Sequence, residues 1–230
     1  MEKYTLKIEL LSDTIFSGGE TIVSVSDIDV LYDEYKIPYY KGKSIKGNVR
    51  EVIDVIIENQ RQYDDEKAQL NDQISRKLFG KTFNNKGNEL YKDDQSEGIL
   101  KFENASLDKG AKEVLKYLVD TKKISKEELI DSLTDIRYAT KINRETGTSE
   151  NHSLRSMRVL GKGLIFYSDI YSEEKLSEEE LGLLLCGVKG LKHLGTLRSR
   201  GKGEVKCTLK IDEEVISDKQ VKKLVEKVIG

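Results

Sequence analysis

Three aspartates stand close together in the chain, with a spacing that could serve chemistry on a phosphodiester. Asp27, Asp29 and Asp33 lie in the run SVSDIDVLYD. Closely spaced carboxylates can hold Mg²⁺ or accept a proton from an attacking hydroxyl group. Acids in a surface loop are more often simply solvated, so the spacing alone leaves both interpretations open.

The run KGKSIKG, which begins at Lys41, combines cations, glycines and a hydroxyl group at the start of a predicted helix. We expect Ser44 to cap this helix and Lys43, Lys46 and Arg50 to lie on one flank of it. A helix N-terminus with several cations can hold a sugar-phosphate backbone. The run therefore predicts a contact with nucleic acid.

A second glycine-rich run, LGTLRSRGKG, lies between a predicted helix and the last predicted strand. Its glycines allow positive φ angles and a close approach of the backbone to a phosphate, and its cations suit the same ligand. The residues concerned are Gly195, Arg198, Arg200, Gly201, Lys202 and Gly203. An ordinary helix-to-strand turn has a similar composition. This run therefore supports a nucleic-acid contact only in combination with the run at Lys41.

The distribution of charge is more informative than its total. The 230 residues carry a formal net charge of −2, which does not by itself suggest a nucleic-acid binder. Three windows, 36–50, 137–162 and 189–202, hold 16 of the 39 basic side chains and 2 of the 41 acidic ones. These windows carry +14 and the rest of the chain −16. The division predicts a phosphate-binding surface, with a solvated basic face as the plainer alternative.

Other residue types argue against several classes of protein. Cys186 and Cys207 lack the spacing of metal ligands, which favours a reducing cytoplasm over a disulfide framework or zinc site. His152 and His193 have no partners at catalytic spacing, so we expect them to be structural or to contact RNA at most. No apolar run approaches roughly 18 residues and no apolar leader opens the chain, so we expect neither a transmembrane helix nor a signal peptide.

The elements that must position these residues follow from apolar periodicity. Alternating apolar residues predict four strands, and stripes at helical spacing predict two helices. The strands span 4–11, 99–103, 164–170 and 205–211, and the helices span 44–60 and 177–191. Their order along the chain predicts a ferredoxin-like (RRM-like) βαββαβ core of the α+β class.

The core is predicted to belong to one domain, 1–230, with long insertions. The insertion at 14–42 holds the aspartates and is the candidate catalytic loop. The insertion at 61–97 is predicted to form a helix followed by a mobile loop. The insertion at 105–157 is predicted to form two short helices followed by an extended loop or hairpin.

The order and spacing of these motifs resemble the RAMP superfamily of CRISPR-associated proteins over nearly the whole chain. They are most similar to the repeated backbone subunit of type III effector complexes, which cleaves target RNA. The matching runs are Gly18-Gly19, Asp27 to Asp33, Ile37 to Gly47, Leu78-Phe79-Gly80, KINRETGT at 141–148, and LRSRGKGEV. In that family the turn often carries a histidine where this chain has Phe16.

The resemblance implies that Asp27 takes part in metal-dependent cleavage of target RNA, using Mg²⁺ or Mn²⁺ that is not stably bound. It also implies that residues 141–148 form a thumb-like hairpin that wedges between guide and target bases. The predicted RNA contacts are Gly18, Gly19, Lys41, Lys43, Ser44, Lys46, Arg50, Arg144, Arg198, Arg200, Gly201, Lys202 and Gly203. The expected partners are the guide RNA (crRNA), the target RNA, copies of the chain itself and other CRISPR-associated subunits, with a cytoplasmic location and no membrane.

Two alternatives stay open within the same superfamily. The chain could be a scaffold that only binds crRNA, with Asp27 in a structural role. It could also be an endonuclease that processes crRNA precursors. Such enzymes often use a histidine near the N-terminal region as general base, whereas the first histidine here is His152.

Overall fold

A computed structural model describes residues 2–17, 27–80, 97–140, 142, 148, 153–212 and 214–229. The strands are β1 (Glu2–Leu10), β2 (Tyr39–Tyr40), β3 (Leu100–Phe102), β4 (Ala105–Ser106), β5 (Thr134–Ala139), β6 (Arg155–Leu160), β7 (Ile165–Ser172), β8 (Val205–Ile211) and β9 (Glu214–Val215). The helices are α1 (Gly42–Gln60), α2 (Asp65–Phe79), α3 (Lys109–Asp120), α4 (Lys126–Leu133), α5 (Glu178–Gly190) and α6 (Asp218–Ile229).

Strand β1 lies at the centre of the main sheet, antiparallel to both β7 and β8. Strand β3 pairs with the far edge of β7, which gives the antiparallel order β3–β7–β1–β8. Helix α1 lies between β1 and β3 in the chain, and α5 lies between β7 and β8. The predicted α+β class is confirmed. A second sheet is the antiparallel hairpin of β5 and β6.

One face of the main sheet is buried by α1 and α5. Alternate residues of β1, from Tyr4 to Leu10, are buried, as the sequence alternation predicts. Helix α1 buries Ile45, Val49, Ile53 and Ile57. At Gly187 of α5, a Cβ atom would come within 2.8 Å of side chains of Val49 and Ile53, so the glycine lets the two helices pack closely.

The last helix, α6, is fastened to α1 and α2 by a buried polar cluster. The Gln60 side-chain amide donates to the Val228 carbonyl at 2.8 Å, and the Asn71 amide donates to the same oxygen at 3.1 Å. Asn71 also donates to Oε1 of Gln60 at 2.9 Å. These contacts satisfy a carbonyl that the end of α6 leaves without a helical partner.

Several local predictions can be compared with these elements. The capping boxes Ser125–Glu128 and Ser177–Glu180 both form, at the starts of α4 and α5. The hairpin predicted within 134–157 forms as β5–β6 and extends to Leu160. Residues 81–96 of the predicted mobile loop lie outside the described residues. No helix in the described ranges is long and apolar enough to cross a membrane.

The predicted start of α1 is wrong by two residues. The helix begins at Gly42, so Ser44 lies inside the first turn and does not cap it. Lys41 occupies the N-cap position without a side-chain hydrogen bond to the helix. The cap comes instead from a distant residue: the side-chain oxygen of Asn104 accepts a hydrogen bond from the Gly42 amide at 2.9 Å.

Candidate nucleic-acid interface

The start of α1 is pressed against the connection between β3 and β4. A Cβ atom on Gly42 would lie 2.2 Å from the Phe102 carbonyl oxygen, so only glycine fits there. The Asn104 cap fixes the direction in which the helix points. Lys43 is exposed in the first turn, where no acidic side chain offsets the positive end of the helix dipole. The turn therefore presents a rigid, positively polarised surface.

Lys46 and Arg50 lie deeper than Lys43. The Lys46 ammonium group donates to the Leu100 carbonyl at 2.9 Å, which ties α1 to β3. Burial, and after it the charge of Arg50, lowers the pKa of Lys46. Arg50 lies 3.8 Å from Asp54 on the next turn. Of the predicted contacts on this helix, Lys43 is the most accessible.

The glycine-rich run forms a loop around a short 3₁₀ turn, Arg198–Arg200. Gly195, Gly201 and Gly203 all have positive φ, as expected. At Gly195 and Gly203, however, the close approach is to this chain's own backbone. A Cβ atom would lie 2.3 Å from the Ile15 carbonyl oxygen at Gly195, and 2.1 Å from that of Leu194 at Gly203. Gly201 has open space around it and is exposed.

Arg198 joins this loop to α1. Its guanidinium donates to Oδ1 of Asn48 at 3.3 Å and lies 3.8 Å from a carboxylate oxygen of Glu51. Arg198 and Arg200 are both exposed. The first and third basic windows of the sequence thus lie side by side in the fold.

Asp13, just after β1, joins the loop to the β5–β6 hairpin. Its Oδ2 atom accepts hydrogen bonds from Arg137 of β5 and from Lys202, both at 2.9 Å. The hydrogen bond from Arg137, and the smaller effect of Lys202, hold the pKa of Asp13 below its ordinary value despite desolvation. Through this carboxylate the second basic window meets the third.

Asp27 is exposed and is held by Ser156 of β6. The Ser156 amide and hydroxyl donate to Oδ2 of Asp27 at 2.7 and 3.2 Å. The Ser156 backbone hydrogen bond, then its hydroxyl, lowers the pKa of Asp27, and the charge of Arg155 adds a smaller effect. Asp27 is therefore ionised at neutral pH and accepts hydrogen bonds, but a carboxylate with a lowered pKa is a weak general base.

The other two aspartates of the run serve the fold. Oδ1 of Asp29 lies 3.5 Å from Nε of Arg158. Oδ1 of Asp33 accepts from the amides of Tyr35 and Ile37, both at 3.0 Å, and closes a turn. Within the described ranges, no group of three or more His, Cys, Asp or Glu side chains is placed to hold a metal ion. Of the three aspartates, Asp27 is the one that is exposed, whereas Asp29 and Asp33 are partly buried.

Seven further residues complete the placement of the candidates. Phe16 is fully buried, stacked on Tyr40 with ring centroids 4.3 Å apart, so this position is part of the core. Cys186 and Cys207 are free and buried, and burial raises their thiol pKa values to about 11 and about 12. The predicted contacts Gly18, Gly19 and Arg144, together with His152, lie outside the described residues.

Sequence reasoning missed the residues that connect the candidates. Asp13, Asn104 and Ser156 were not identified, because each acts on a residue far away in the chain. The weak signal available was an acid or a polar side chain at a strand boundary, where a side chain can reach a neighbouring loop. Only the fold shows which loop that is.

Comparison with known proteins adds a family and a fold. The family model described as the RAMP superfamily matches residues 7–206. No curated protein matches the chain. Among solved structures, the chain is similar to one in "Type III-B Cmr-beta Cryo-EM structure of the Apo state", with a TM-score of 0.59 and 13% identity over 94% of this chain and 99% of that one. It is also similar to one in "Cryo-EM structure of the Type III-B Cmr-beta bound to cognate target RNA", with a TM-score of 0.61 and 13% identity over 97% and 99% of the two chains. At this identity the likeness concerns the fold.

Proposed function

Because the chain belongs to the RAMP superfamily, we propose that it is a crRNA-binding backbone subunit of a type III CRISPR interference complex, and that it cleaves complementary target RNA. The observation that carries the proposal is the continuous line of contacts from α1 through the glycine-rich loop to the β5–β6 hairpin. This line joins three separate basic windows of the sequence and ends beside an exposed carboxylate.

The guide RNA is proposed to lie along the start of α1 and the glycine-rich loop. Lys43, Arg198 and Arg200 are exposed there, and Gly201 leaves room for a phosphate. Phosphate contacts of this kind hold the backbone of a nucleic acid without reading its sequence. That property suits a subunit of which several copies lie along one guide RNA, together with other subunits of the complex.

The target strand is proposed to meet the hairpin. Three apolar side chains at its outer end are largely exposed: Tyr138 at 68%, Ile142 at 62% and Leu154 at 64%. Exposed aromatic and apolar side chains can stack against unpaired bases. This end of the hairpin borders the predicted thumb segment at 141–148, most of which lies outside the described residues.

Asp27 is proposed to orient the ribose 2′-hydroxyl that attacks the scissile phosphate. Its ionised carboxylate can accept a hydrogen bond from that hydroxyl, while Arg155 offsets charge that develops on the phosphate. A single accessible carboxylate fits a Mg²⁺ or Mn²⁺ ion that arrives with the substrate phosphates, and such an ion would supply charge neutralisation there. Asp27 is the residue that would hold it.

The test of this function is Asp27→Ala in the assembled complex. We expect target cleavage to fall by at least about 100-fold, while crRNA retention and target binding stay unchanged. Asp135→Ala is the matched control, because Asp135 is an exposed aspartate of the β5–β6 hairpin that contacts Asp27. Cleavage by the Asp27→Ala complex at the rate of the unmodified complex would overturn the catalytic assignment.

A non-catalytic scaffold is the second candidate, favoured by the engagement of Asp27 with Ser156. It predicts that Asp27→Ala is silent and that cleavage products do not appear when Mg²⁺ or Mn²⁺ is supplied. Purification from the native host and sequencing of the bound RNA tests both candidates: short RNAs that share a repeat-derived 5′ tag support them. Cleavage of precursor repeat RNA by the isolated chain would instead support a processing endonuclease.

A further inference from the structure

We propose that Ser156 is a positioning residue for Asp27, and that it attaches the candidate cleavage carboxylate to the β5–β6 hairpin. The inference rests on the proposed function, because it concerns how the cleaving group is placed. In the sequence, Asp27 belongs to the segment between β1 and α1. In the fold, its contacts are with β6.

The first attachment is reciprocal between two residues. The Asp27 amide donates to the Ser156 carbonyl at 3.1 Å and approaches the Ser156 hydroxyl oxygen at 3.2 Å. In return, the Ser156 amide and hydroxyl both bind Oδ2 of Asp27. A hydroxyl at this position can accept from the Asp27 amide while it donates to the carboxylate. Both donors bind the same carboxylate oxygen, Oδ2, and Asp27 is exposed.

The second attachment lies two residues further along both segments, at Asp29 in the aspartate segment and at Arg158 in β6. Strand β6 and the aspartate segment run parallel, with Ile28 opposite Met157, and the Arg158 amide donates to the Ile28 carbonyl at 2.9 Å. The Arg158 side chain is 11% exposed and lies against Asp29. It also donates to Asp131 at 2.7 Å and to Thr134 at 2.8 Å. The aspartate segment is thereby fixed in register with β6.

This arrangement sets the distance between the carboxylate and the stacking surface of the hairpin. Tyr138, the exposed aromatic residue, is the cross-strand partner of Ser156 in the β5–β6 ladder. Directly opposed residues on paired strands keep a fixed separation of about 4.5–5.5 Å between their Cα atoms. A base that stacks on the hairpin would therefore fix which phosphate lies beside Asp27, so the hairpin would determine the position of cleavage.

The test compares Ser156→Ala with Ser156→Thr in the assembled complex under single-turnover conditions. Loss of the hydroxyl leaves the backbone contacts, so we expect Ser156→Ala to slow cleavage about tenfold and to spread the 5′ ends of the products over neighbouring phosphates. Target affinity should stay unchanged, because the hydroxyl contacts Asp27 and not the RNA. Ser156→Thr keeps the hydroxyl and should restore both the rate and the product ends. Ser132→Ala, on an α4 serine whose hydroxyl donates to the Leu129 carbonyl of the same helix, is the control.

Asp27→Ala, assayed beside these variants, distinguishes failure of the positioning role of Ser156 from failure of the proposed function. If Asp27→Ala abolishes cleavage while Ser156→Ala cleaves at the original rate and position, the positioning role of Ser156 is wrong and the proposed function stands. If Asp27→Ala itself cleaves normally, the proposed function is wrong. If Ser156→Thr fails to restore what Ser156→Ala loses, although its melting temperature and target affinity are unchanged, the hydroxyl is not the group that positions Asp27.

Discussion

The glycine-rich loop and the β5–β6 hairpin border the same surface but are attached to the core by different means. The loop is held by backbone hydrogen bonds, from the Gly203 amide to Asp13 and from the Thr196 amide to Ile15. Its ionic contacts come from the exposed or partly exposed side chains of Arg198 and Lys202. The hairpin has backbone bridges at Thr14 and Ile28, but its other attachments are ionic and hydroxyl side chains. Backbone contacts depend little on pH and salt, whereas ion pairs depend on both. We expect the loop to be the more fixed of the two regions and the hairpin to be the more adjustable.

The largest effect should come from crowding the backbone of the loop. In Gly203→Ala the new Cβ atom would meet the Leu194 carbonyl at 2.1 Å, and φ at this position is +79°. Strain and overpacking together should lower the free energy of unfolding by about 3–4 kcal/mol. Gly201→Ala is the control: φ is +70° but the surrounding space is open, so it should cost about 1 kcal/mol. Equal losses in urea denaturation would show that backbone packing does not hold the loop.

Removing the buried cation of the hairpin should have the next largest effect. Arg158→Met leaves Asp29, whose side chain is 10% exposed, without its ionic partner. We expect a loss of about 2–3 kcal/mol of unfolding free energy, because an unpaired buried charge is costly. Arg155→Met, at an exposed position of the same strand, should change stability by less than about 0.5 kcal/mol. If the two variants unfold at the same urea concentration, side-chain contacts at Arg158 are not what holds the hairpin.

The link between the two regions should show a pH dependence. Asp13→Asn removes the charge that Arg137 and Lys202 share, and should cost about 1 kcal/mol at pH 7. Because the pKa of Asp13 is lowered in the fold, its contribution is full above the ordinary aspartate range and is lost as pH falls through the lowered value. The stability difference between the two proteins should therefore shrink below about pH 4. A difference that is constant from pH 7 to pH 3 would contradict the ionic link.

The smallest effect on stability should come from Arg200→Ala, which removes an exposed cation of the loop. We expect the unfolding free energy to change by less than about 0.5 kcal/mol. The affinity for single-stranded RNA should fall, and its dependence on salt should weaken by about one unit of slope. Lys219→Ala, at an exposed lysine of α6, is the matched control and should leave RNA affinity unchanged. Equal losses in the two variants would show that RNA binding does not depend on the loop.

The sequence predicted the elements well where the information is local. Strand alternation in β1 and the capping box at Ser177 involve residues within one element, and both appear as expected. Ser44 was wrongly assigned as a cap, because the choice between Ser44 and the oxygen of Asn104 depends on packing of Gly42 against β3. Contacts across such distances leave no periodic pattern.

The sequence was enough to nominate many residues of the candidate site, but not to show which of them contact one another. Its basic windows and Asp27 could be recognised from residue types and from a family resemblance. Asp13, which joins two of the windows, is acidic and lies outside all of them, so a search for positive charge overlooks it. Nothing in the sequence distinguishes Ser156 from other serines; the fold places its amide nitrogen 2.7 Å and its hydroxyl oxygen 3.2 Å from Oδ2 of Asp27.

The polar cluster beneath α6 has a consequence for the order in which the chain is completed during synthesis. Gln60 and Asn71 leave the ribosome 168 and 157 residues before Val228, whose carbonyl they bind. Until that carbonyl arrives, burying both amides would cost free energy, so water must keep solvating them. The end of the α1–α2 pair therefore stays hydrated until the last turn of α6 has formed.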